Sequence, residues 1–281
     1  MTQEGVVPIR ADSLSVRNRD KLITLMLTTQ SREVSRRVRD RYKMLAERKM
    51  DAFRKINPHR PFYEVMEDGA WAGQRCFIIG GGPSLRGFDF QRLEGRGRVI
   101  AINRAFIDVM FADILFFMDG SRNTFYGLVK ANRIARDSLA KWQEFQGYKV
   151  YLNLVGRRLD DVHSVRSLGR TGVSNSIRKG LFHGNNSGSG ALGLAIALRA
   201  NPIYLLGIDG KFEGGRSHYH DGYATRRNPE STFESFAVEF NRVGKLIART
   251  GFKVVNLNQR SAVKCFPFST IDEVLGNGQT G

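Results

Sequence analysis

A run of three glycines followed by proline and serine, Gly80-Gly81-Gly82-Pro83-Ser84, is the strongest local feature of the sequence. Glycines allow backbone N–H groups to approach a phosphate closely and permit positive φ angles. Ser84 can cap the following turn or donate a hydrogen bond to a phosphate. The run lacks the Gly-Lys-Ser/Thr of a P-loop, and Pro83 breaks the Gly-x-Gly-x-x-Gly dinucleotide pattern. We therefore predict a phosphate-binding loop of another kind, with a plain tight turn as the alternative.

Polar residues also follow the next two apolar runs of the chain. Asn103 comes directly after Arg98–Ile102, and Asp119 comes directly after the run at 114–118. Ligands of open α/β sheets bind beyond the carboxyl ends of the strands, so both side chains are expected beside the glycine loop. A single Asn or Asp at a strand end is more often a turn former. Polar residues after three successive runs favour a ligand site.

Two further polar clusters lie in the second half of the chain. Asn186 and Ser187 precede a stretch rich in alanine and leucine, and the N-terminus of such a helix can bind an anion. An ordinary helix cap is the alternative, and both roles can be combined. Gly207 and Asp209 follow another apolar run, which places them at the same edge of the predicted sheet.

The segment 217–221 contains two histidines, His218 and His220, outside any clear apolar periodicity. A histidine on a loop beside a nucleotide is a candidate general base. With Asp209 or Asp221 the pair could instead bind a metal ion, and a passive loop position is the third interpretation. We favour the general base and predict no metal site.

The elements that must position these residues can be read from the apolar pattern. Short apolar runs, typical of buried strands, occur at 75–79, 98–102, 114–118, 148–152, 203–207 and 253–257. Helical patterns lie between several of them, most clearly at 123–145, 190–199 and 229–250. Strands alternating with helices predict an α/β, Rossmann-like fold with a mostly parallel sheet and helices on both faces. We assign residues 71–270 to this domain and residues 271–281 to a tail.

Residues 1–70 form a predicted basic helical extension. From Arg17 to Arg60 the sequence has 14 Lys/Arg against 5 Asp/Glu and no glycine, and apolar residues recur at roughly helical spacing. The whole chain carries a net charge of +17, which favours polyanionic partners. The basic helix 17–57 is therefore a candidate nucleic-acid contact, with a solvated basic face as the alternative.

Three features of the sequence indicate where the protein is located: its apolar runs, its N-terminal residues and its cysteines. No apolar run approaches the length of a membrane span, and residues 1–14 show no signal-peptide pattern. Cys76 and Cys265 stand outside any paired metal-ligand spacing, and this usage fits a reducing compartment. We expect a cytoplasmic protein, located in the host cytoplasm if the chain is phage-encoded. The sequence leaves the oligomeric state open.

The order and spacing of the motifs resemble those of a known group of proteins. The matching segments are residues 79–85, 102–104, 117–119, 186–188, 203–209 and 217–219. They are similar to motifs of the bacterial lipooligosaccharide sialyltransferases that use CMP-sialic acid, and of the broader MptE-like proteins. The latter include the archaeal 6-hydroxymethylpterin diphosphokinase and phage-borne relatives of unassigned activity. The resemblance covers about residues 75–263, and its most specific part is the block 187–209.

This resemblance implies a nucleotide pocket at one edge of the sheet. The implied nucleotide-binding set is Gly80, Gly81, Gly82, Ser84, Asn103, Asp119, Asn186, Ser187, Gly207 and Asp209. Within it, the glycine loop would surround the donor phosphate, and Asn103 and Asp119 would contact the ribose and base side of the nucleotide. His220, with His218 in reserve, would deprotonate the acceptor hydroxyl.

Two positions depart from the sialyltransferase pattern. Lys211 stands where those enzymes have a tyrosine that steadies the leaving phosphate, and Gly184 stands where they have an arginine. A lysine can neutralise the same negative charge, so Lys211 joins the two histidines as a catalytic candidate. The departures leave the fold and the pocket in place and the substrate open.

Three functions are consistent with the sequence. We favour a glycosyltransferase-like enzyme that moves a sugar from a nucleotide-sugar donor to a hydroxyl, with modified nucleobases of phage DNA as one candidate acceptor and no firmly expected cofactor. The first alternative is a pterin-type diphosphokinase that uses ATP and Mg²⁺, with Asp119 and Asp209 beside the metal. The second is a non-catalytic descendant of the fold that binds nucleic acid or protein. A requirement for Mg²⁺ separates the two enzymes.

Overall fold

The computed structural model describes residues 61–276, with gaps at 155, 158 and 224–228. All described residues belong to one compact unit. The predicted basic helix 17–57 and its contact with nucleic acid lie outside the described residues, as does most of the predicted extension. The division of the chain at residues 70 and 270 stays a prediction.

A parallel sheet of eight strands lies at the centre of this unit. In chain order the strands are β1 (Cys76–Ile79), β2 (Arg98–Ile102), β3 (Ile114–Phe117), β4 (Tyr148–Asn153), β5 (His163–Gly169), β6 (Leu181–Phe182), β7 (Ile203–Leu206) and β8 (Val254–Asn256). Across the sheet they lie in the order β6-β5-β4-β3-β2-β1-β7-β8, and each neighbouring pair is parallel. The predicted Rossmann-like α/β fold is confirmed.

Helices cover both faces of the sheet. The α-helices of the described part are α1 (Phe125–Lys130), α2 (Ser138–Glu144), α3 (Ser187–Ala197), α4 (Glu230–Ile247) and α5 (Ile271–Leu275). On one face, Cys76 and Ile78 pack into a core that includes α3 and α4. On the other, Phe77 and Ile79 pack into a core that includes α1 and α2. Strands buried on both faces must be apolar throughout, which is why β1 reads as a continuous apolar run.

Several element boundaries differ from the sequence-based prediction. Strands β5 and β6 are absent from it, because β5 mixes polar and apolar residues and β6 has two residues. The predicted helix 123–145 is two helices. Asn132 adopts a left-handed conformation (φ 53°) after α1, and its Oδ1 accepts a hydrogen bond from the Leu139 N–H (2.8 Å) in the first turn of α2. An asparagine in this role ends one helix and starts the next.

The ends of the described part are also ordered by packing. Phe62 is fully buried against the sheet, with its ring 5.6 Å from that of Tyr148. At the other end, Thr270 and Glu273 form a capping box that starts α5, and Ile271 of this helix packs against the core. Within the described ranges, none of the helices combines the length and apolarity that crossing a bilayer requires.

The strand order creates a switch point at β1. From β1 the chain proceeds outward through β2 to β6, and the connection containing α3 then brings it to β7 on the other side of β1. The crevice between the carboxyl ends of β1 and β7 is where ligands of doubly wound sheets bind. The glycine loop follows β1 and Gly207 follows β7, so two of the predicted motifs meet at this point.

Candidate functional site

The glycine loop packs directly on the loop that follows β7. The Gly80 N–H donates to the Leu206 carbonyl (2.8 Å), and the Gly82 N–H donates to the Gly207 carbonyl (2.9 Å). A Cβ at Gly80 would lie 2.5 Å from the Gly207 oxygen, so no larger residue fits. The φ angles of the three loop glycines are not positive. Glycine is therefore required here for close approach of two backbones, and the expected left-handed conformation does not occur.

Asp209 holds the far end of the loop. The residue is 3% exposed, and its carboxylate accepts three hydrogen bonds, from the Ser84 N–H (2.8 Å), the Ser84 hydroxyl (2.7 Å) and the Asn258 side-chain amide (2.8 Å). These donors match the capacity of a buried carboxylate for charge-assisted bonds. Ser84 and Asp209 thus fix the shape of the loop, and both donors of Ser84 are used within the fold.

The backbone donors of the loop are largely used within the fold. The N–H groups of Gly80, Gly82 and Ser84 are all hydrogen bonded, and Gly81 is the loop glycine whose N–H has no partner among the described residues. The glycine run predicts a cradle of several free N–H groups. The structure instead leaves Gly81 as the open backbone position.

The two predicted histidines lie over Gly81. A Cβ at Gly81 would be 2.9 Å from Cδ2 of His218 and 3.8 Å from Nε2 of His220. The two imidazole rings are stacked, with centroids 5.2 Å apart, and the ring of Tyr223 lies 5.1 and 5.3 Å from them. The structure thus brings the glycine loop and both histidines together at the switch point.

Burial keeps both imidazoles neutral at neutral pH. It lowers the pKa of His218 to about 4. Burial, with the nearby Arg104 guanidinium and His218, lowers the pKa of His220 to about 2. A neutral imidazole has one acceptor and one donor nitrogen. Each ring can therefore accept a proton or donate a hydrogen bond, depending on its tautomer.

Local hydrogen bonds distinguish the two rings. The Gly222 N–H donates to Nδ1 of His220 (3.2 Å), so neutral His220 carries its proton on Nε2. Nδ1 of His218 lies 2.9 Å from the Ser217 hydroxyl, which can accept from it and leave Nε2 as an acceptor. His220 thus offers a donor beside the glycine loop, whereas His218 can offer a proton acceptor.

Tyr219, between the two histidines, anchors their segment. Its N–H donates to the Gly81 carbonyl (3.0 Å), and its hydroxyl donates to Oδ2 of Asp108 (2.6 Å). Arg104 donates to the same carboxylate oxygen from Nη1 (2.6 Å). The histidine segment is therefore tied both to the glycine loop and to the turn that follows β2.

Asn103 and Arg104 carry buried polar atoms that lack partners. Oδ1 of Asn103 and Nε of Arg104 make no hydrogen bond within the described part of the chain. Buried groups of this kind are normally satisfied, so an unsatisfied pair needs a reason. Both residues follow β2 beside the switch point, where a ligand would satisfy them. Sequence reasoning selects Asn103 and misses Arg104, although the arginine is its direct neighbour.

Asp119 lies on the same side of the histidine cluster. It is exposed after β3, and its negative charge, after burial, raises the pKa of Tyr223. Tyr223 contacts both imidazoles and also interacts with the backbone of Arg104. Tyr223 thus links Asp119 electrostatically to both histidines, and nucleotide contacts of Asn103 and Asp119 stay a prediction.

The start of α3 lies close by. Asn186 caps this helix, since its Oδ1 accepts from the Ser189 N–H (2.7 Å) and its Nδ2 donates to the Gly184 carbonyl (2.9 Å). Ser187 is the half-buried first residue of the helix. The Ile208 side chain separates the helix start from the glycine loop, because it lies against the Cβ positions of both Gly80 and Gly188. Asn186 acts as a cap, and its side-chain atoms are occupied in that role.

Lys211 lies on the loop that leads from Asp209 towards the histidines. It is half-buried, and its amine forms no hydrogen bond or ion pair with any residue in the described ranges. The adjacent Phe212 packs on Phe233 of α4 (5.1 Å), and Phe233 packs on His218 (5.8 Å). The residue next to Lys211 is thus linked to the histidine cluster through Phe233, and the Lys211 amine has no partner among the described residues.

The described residues do not form a preassembled metal centre. Within the described ranges, no three His, Cys, Asp or Glu side chains are close enough to share an ion. The carboxylate of Asp209, one of the two proposed Mg²⁺ neighbours, is already filled by three protein donors. Asp119 is exposed, and a role for either carboxylate beside Mg²⁺ stays a prediction.

Comparisons with known proteins do not identify the function of this site. No protein-family model matches the chain, and no curated protein matches it. Among solved structures the chain is similar to the sialyltransferase CstII from Campylobacter jejuni, in complex with a substrate analogue, cytidine-5′-monophosphate. The TM-score is 0.42 and the sequence identity 17%, over 70% of this chain and 85% of that chain. A likeness of this degree says nothing about activity or substrate.

Proposed function

We propose that the protein is a glycosyltransferase-like enzyme that moves a sugar from a nucleotide-sugar donor to a hydroxyl group. The observation that carries this proposal is the pair of neutral imidazoles over Gly81, at the switch point of the sheet. Beside them lie the unpartnered Oδ1 of Asn103 and Nε of Arg104. A proton acceptor on His218, the open N–H of Gly81 and the Arg104 guanidinium suit an acid–base reaction on a phosphate-linked substrate.

The proposed reaction is a displacement at the anomeric carbon of the donor sugar. The acceptor oxygen bonds to this carbon, the bond from the carbon to the donor phosphate oxygen breaks, and the nucleotide phosphate leaves with the electron pair. The hydroxyl proton passes to Nε2 of His218. We assign the base to His218, and not to His220 as the resemblance implies, because Nδ1 of His220 already accepts from Gly222 and its Nε2 carries a proton.

His220 and two cations would stabilise the leaving phosphate. Nε2 of His220 lies beside Gly81, so its N–H and the open N–H of Gly81 could both donate to phosphate oxygens. Arg104 and the unpaired Lys211 supply positive charge. A bound phosphate would also raise the pKa of His218 from about 4, because an opposite charge favours the protonated imidazole. Donor binding would thus improve the base.

The net charge of the chain bears on the acceptor. A charge of +17 suits a polyanion, and a modified nucleobase in phage DNA is one acceptor that combines a hydroxyl with a polyanion. Binding to such an acceptor should weaken steeply as salt rises, because counterions are released on contact with phosphates.

The first test is thermal unfolding of the full chain with CMP, UDP, GDP, ATP and GTP, each with and without Mg²⁺. A ligand that binds the native state raises Tm by mass action. A shift with CMP or UDP that does not need Mg²⁺ supports the proposal and names the donor class. A shift with ATP that requires Mg²⁺ points to the diphosphokinase instead.

A negative result is equally informative. If none of these nucleotides raises the Tm of a folded sample, both enzymatic functions fail in the stated form, and a non-catalytic binding role replaces them. A matched control is Arg249→Gln, an exposed position on the last turn beyond α4 and away from the switch point. Its nucleotide response should equal that of the unmodified protein.

A further inference from the structure

A strongly basic cavity lies at the carboxyl ends of β3 and β4, on the far side of β2 from the glycine loop. It has a volume of about 690 Å³ and is bounded by α1 and by the loops that follow β3 and β4. Its lining includes Arg122, Lys130, Arg133 and Arg157, with Tyr126 as part of the wall, and no lining residue is acidic. A cavity of this size can accept a small molecule or one nucleotide of a chain. No sequence motif predicts it.

The arginines of this cavity are available to a ligand. Arg122, Arg133 and Arg157 are exposed, and their guanidinium groups form no ion pair or hydrogen bond within the described residues. Lys130 is less free, because it lies 3.6 Å from Asp161 and its amine stands 5.0 Å from the Trp142 ring centroid. Three unpaired guanidinium groups around one cavity repel each other unless an anion joins them.

Hydrogen bonds support described backbone positions on both sides of the cavity. Asn153, at the end of β4 and 4% exposed, donates to the Arg157 carbonyl (2.9 Å) and accepts from the Arg157 N–H (3.0 Å). On the other side, the Ser121 N–H donates to Oγ1 of Thr124 (2.9 Å). A Cβ at Gly127 would overlap the Arg122 backbone, so the loop after β3 packs tightly on α1. These contacts hold the backbone from which the exposed arginine side chains extend.

The cavity and the histidine site are connected through the end of β3. Gly120 lines the cavity, and the charge of its neighbour Asp119 contributes to the raised pKa of Tyr223 in the histidine cluster. A Cβ at Gly120 would lie 2.9 Å from the Tyr151 hydroxyl, which shows how closely β4 approaches here. A ligand held by the arginines could therefore extend past Asp119 towards His218.

We propose that this cavity binds a phosphate group of the acceptor and so directs the acceptor hydroxyl to the histidine site. The assignment of this phosphate to the acceptor rests on the proposed function, whereas phosphate binding itself does not. Guanidinium groups bind phosphate through paired N–H donors. The phosphate can belong to a nucleic-acid strand or to a small phosphorylated molecule, and the two sources are separated by experiment.

The experiment compares two double variants of equal charge. Arg133→Gln with Arg157→Gln removes two of the lining arginines, whereas Arg136→Gln with Arg249→Gln removes two exposed arginines outside the cavity. One probe is a fluorescent single-stranded oligodeoxynucleotide, followed by anisotropy over a range of salt. The other is glucose 6-phosphate, followed by the rise in Tm.

If a strand occupies the cavity, the lining variant binds the oligonucleotide about tenfold or more weakly than the control variant. Its plot of log affinity against log salt also becomes shallower by about 0.7 for each phosphate that the protein no longer neutralises. If the phosphate belongs to a small phosphorylated molecule, the oligonucleotide binds both double variants equally. The rise in Tm caused by glucose 6-phosphate is then lost in the lining variant alone. The proposal is overturned if neither probe distinguishes the two variants.

Failure of this proposal and failure of the proposed function give different results. The nucleotide-induced rise in Tm reports on the histidine site and should be the same in both double variants. Weaker phosphate-probe binding by the lining variant, in a protein that never responds to nucleotides, would keep the cavity as a phosphate site and remove the glycosyltransferase. A normal nucleotide-induced rise in Tm, with phosphate-probe binding equal in the two double variants, would keep the glycosyltransferase and remove the phosphate site.

Discussion

The carboxylate of Asp209 binds both the backbone N–H and the hydroxyl of Ser84, at 2.8 and 2.7 Å, across the switch point of the sheet. This contact joins the loop after β1 to the loop after β7. A Cβ at Gly82 would overlap the same carboxylate, so the glycine and the aspartate depend on each other. The contact fixes the conformation of the glycine loop beneath His218 and His220.

Asp209→Asn should therefore destabilise the protein. Its amide group would turn an N–H donor towards Ser84 or Asn258, both of which already donate to this position. Losing buried bonds to a charged acceptor lowers the free energy of unfolding by about 2–3 kcal/mol. Urea unfolding followed by circular dichroism measures the change.

Ser84→Ala is the matched control for this prediction. It removes the hydroxyl bond and keeps the backbone N–H bond to Asp209, so the expected loss of stability is about 1 kcal/mol. Equal losses in the two variants, or an unchanged midpoint for Asp209→Asn, would show that this carboxylate does not hold the loop.

The stability of the protein should depend on the two half-buried histidines, His218 and His220, as pH falls. In the folded state the pKa of His218 is about 4 and that of His220 about 2, whereas an unfolded chain has a histidine pKa of about 6.5. Below pH 6.5 the unfolded chain binds more protons, so stability is complete above 6.5 and decreases below it. The limiting slope is about 1.4 kcal/mol per pH unit for each histidine.

The variant His218→Asn with His220→Asn separates this effect from that of other groups. Between pH 6.5 and 5 its free energy of unfolding should decrease less steeply than that of the unmodified protein, because two titrating groups are gone. Urea midpoints measured at several pH values give both slopes. Parallel pH dependence in the two proteins would mean that the imidazoles are exposed to solvent.

The sequence predicts the frame of this site better than its details. Continuous apolar runs are required of strands buried on both faces, so the strands that carry the glycine loop, Asn103 and Asp119 can be found from pattern alone. Strand β5 cannot, because its mixed sequence gives no such run. The place of β7 beside β1 is a matter of topology, and no local pattern reports it.

Side-chain roles are harder still, because partners distant in sequence decide them. The sequence marks Ser84 as a phosphate donor, but Asp209, 125 positions later, uses both of its donors. Arg104 belongs to the motif 102–104, but its role is not evident from the sequence, since its lack of a partner arises only when the turn after β2 is folded. The choice of His218 over His220 as the base depends on the hydrogen bond from the Gly222 N–H to His220. This bond cannot be inferred from the sequence.

Asn103 offers a test of nucleotide binding that separates contact from strain. Its φ angle is 51°, a left-handed conformation that costs an ordinary residue about 1–2 kcal/mol and glycine almost nothing. Asn103→Ala and Asn103→Gly both remove Oδ1. We expect the nucleotide-induced rise in Tm to be lost in both variants, while only the alanine variant is destabilised, by about 1 kcal/mol.

Thermal unfolding with and without nucleotide gives both quantities in one series. The glycine variant is the decisive one, because its backbone can keep the native turn. A normal nucleotide response in Asn103→Gly would exclude the side chain as a ligand contact. A lost response in the alanine variant alone would assign the effect to backbone strain.

Replacing each of the two histidines should have a different effect on the steady-state kinetics of sugar transfer. His218→Asn removes the proposed base and should reduce kcat by about 10²- to 10⁴-fold. His220→Asn removes a donor to the leaving phosphate and should affect the binding of the donor nucleotide as well as kcat. Its direct readout is a smaller nucleotide-induced rise in Tm, which His218→Asn should largely retain.

The pH profile gives an independent check of the same assignment. The acidic limb of kcat/KM reports the free enzyme and should lie near the His218 pKa of about 4. The acidic limb of kcat should lie higher, because the bound phosphate raises this pKa. We expect His218→Asn to lose the acidic limbs of both kcat/KM and kcat. His220→Asn should keep both. The reverse pattern would return the base to His220 and would require Nδ1 of that ring to release the Gly222 N–H.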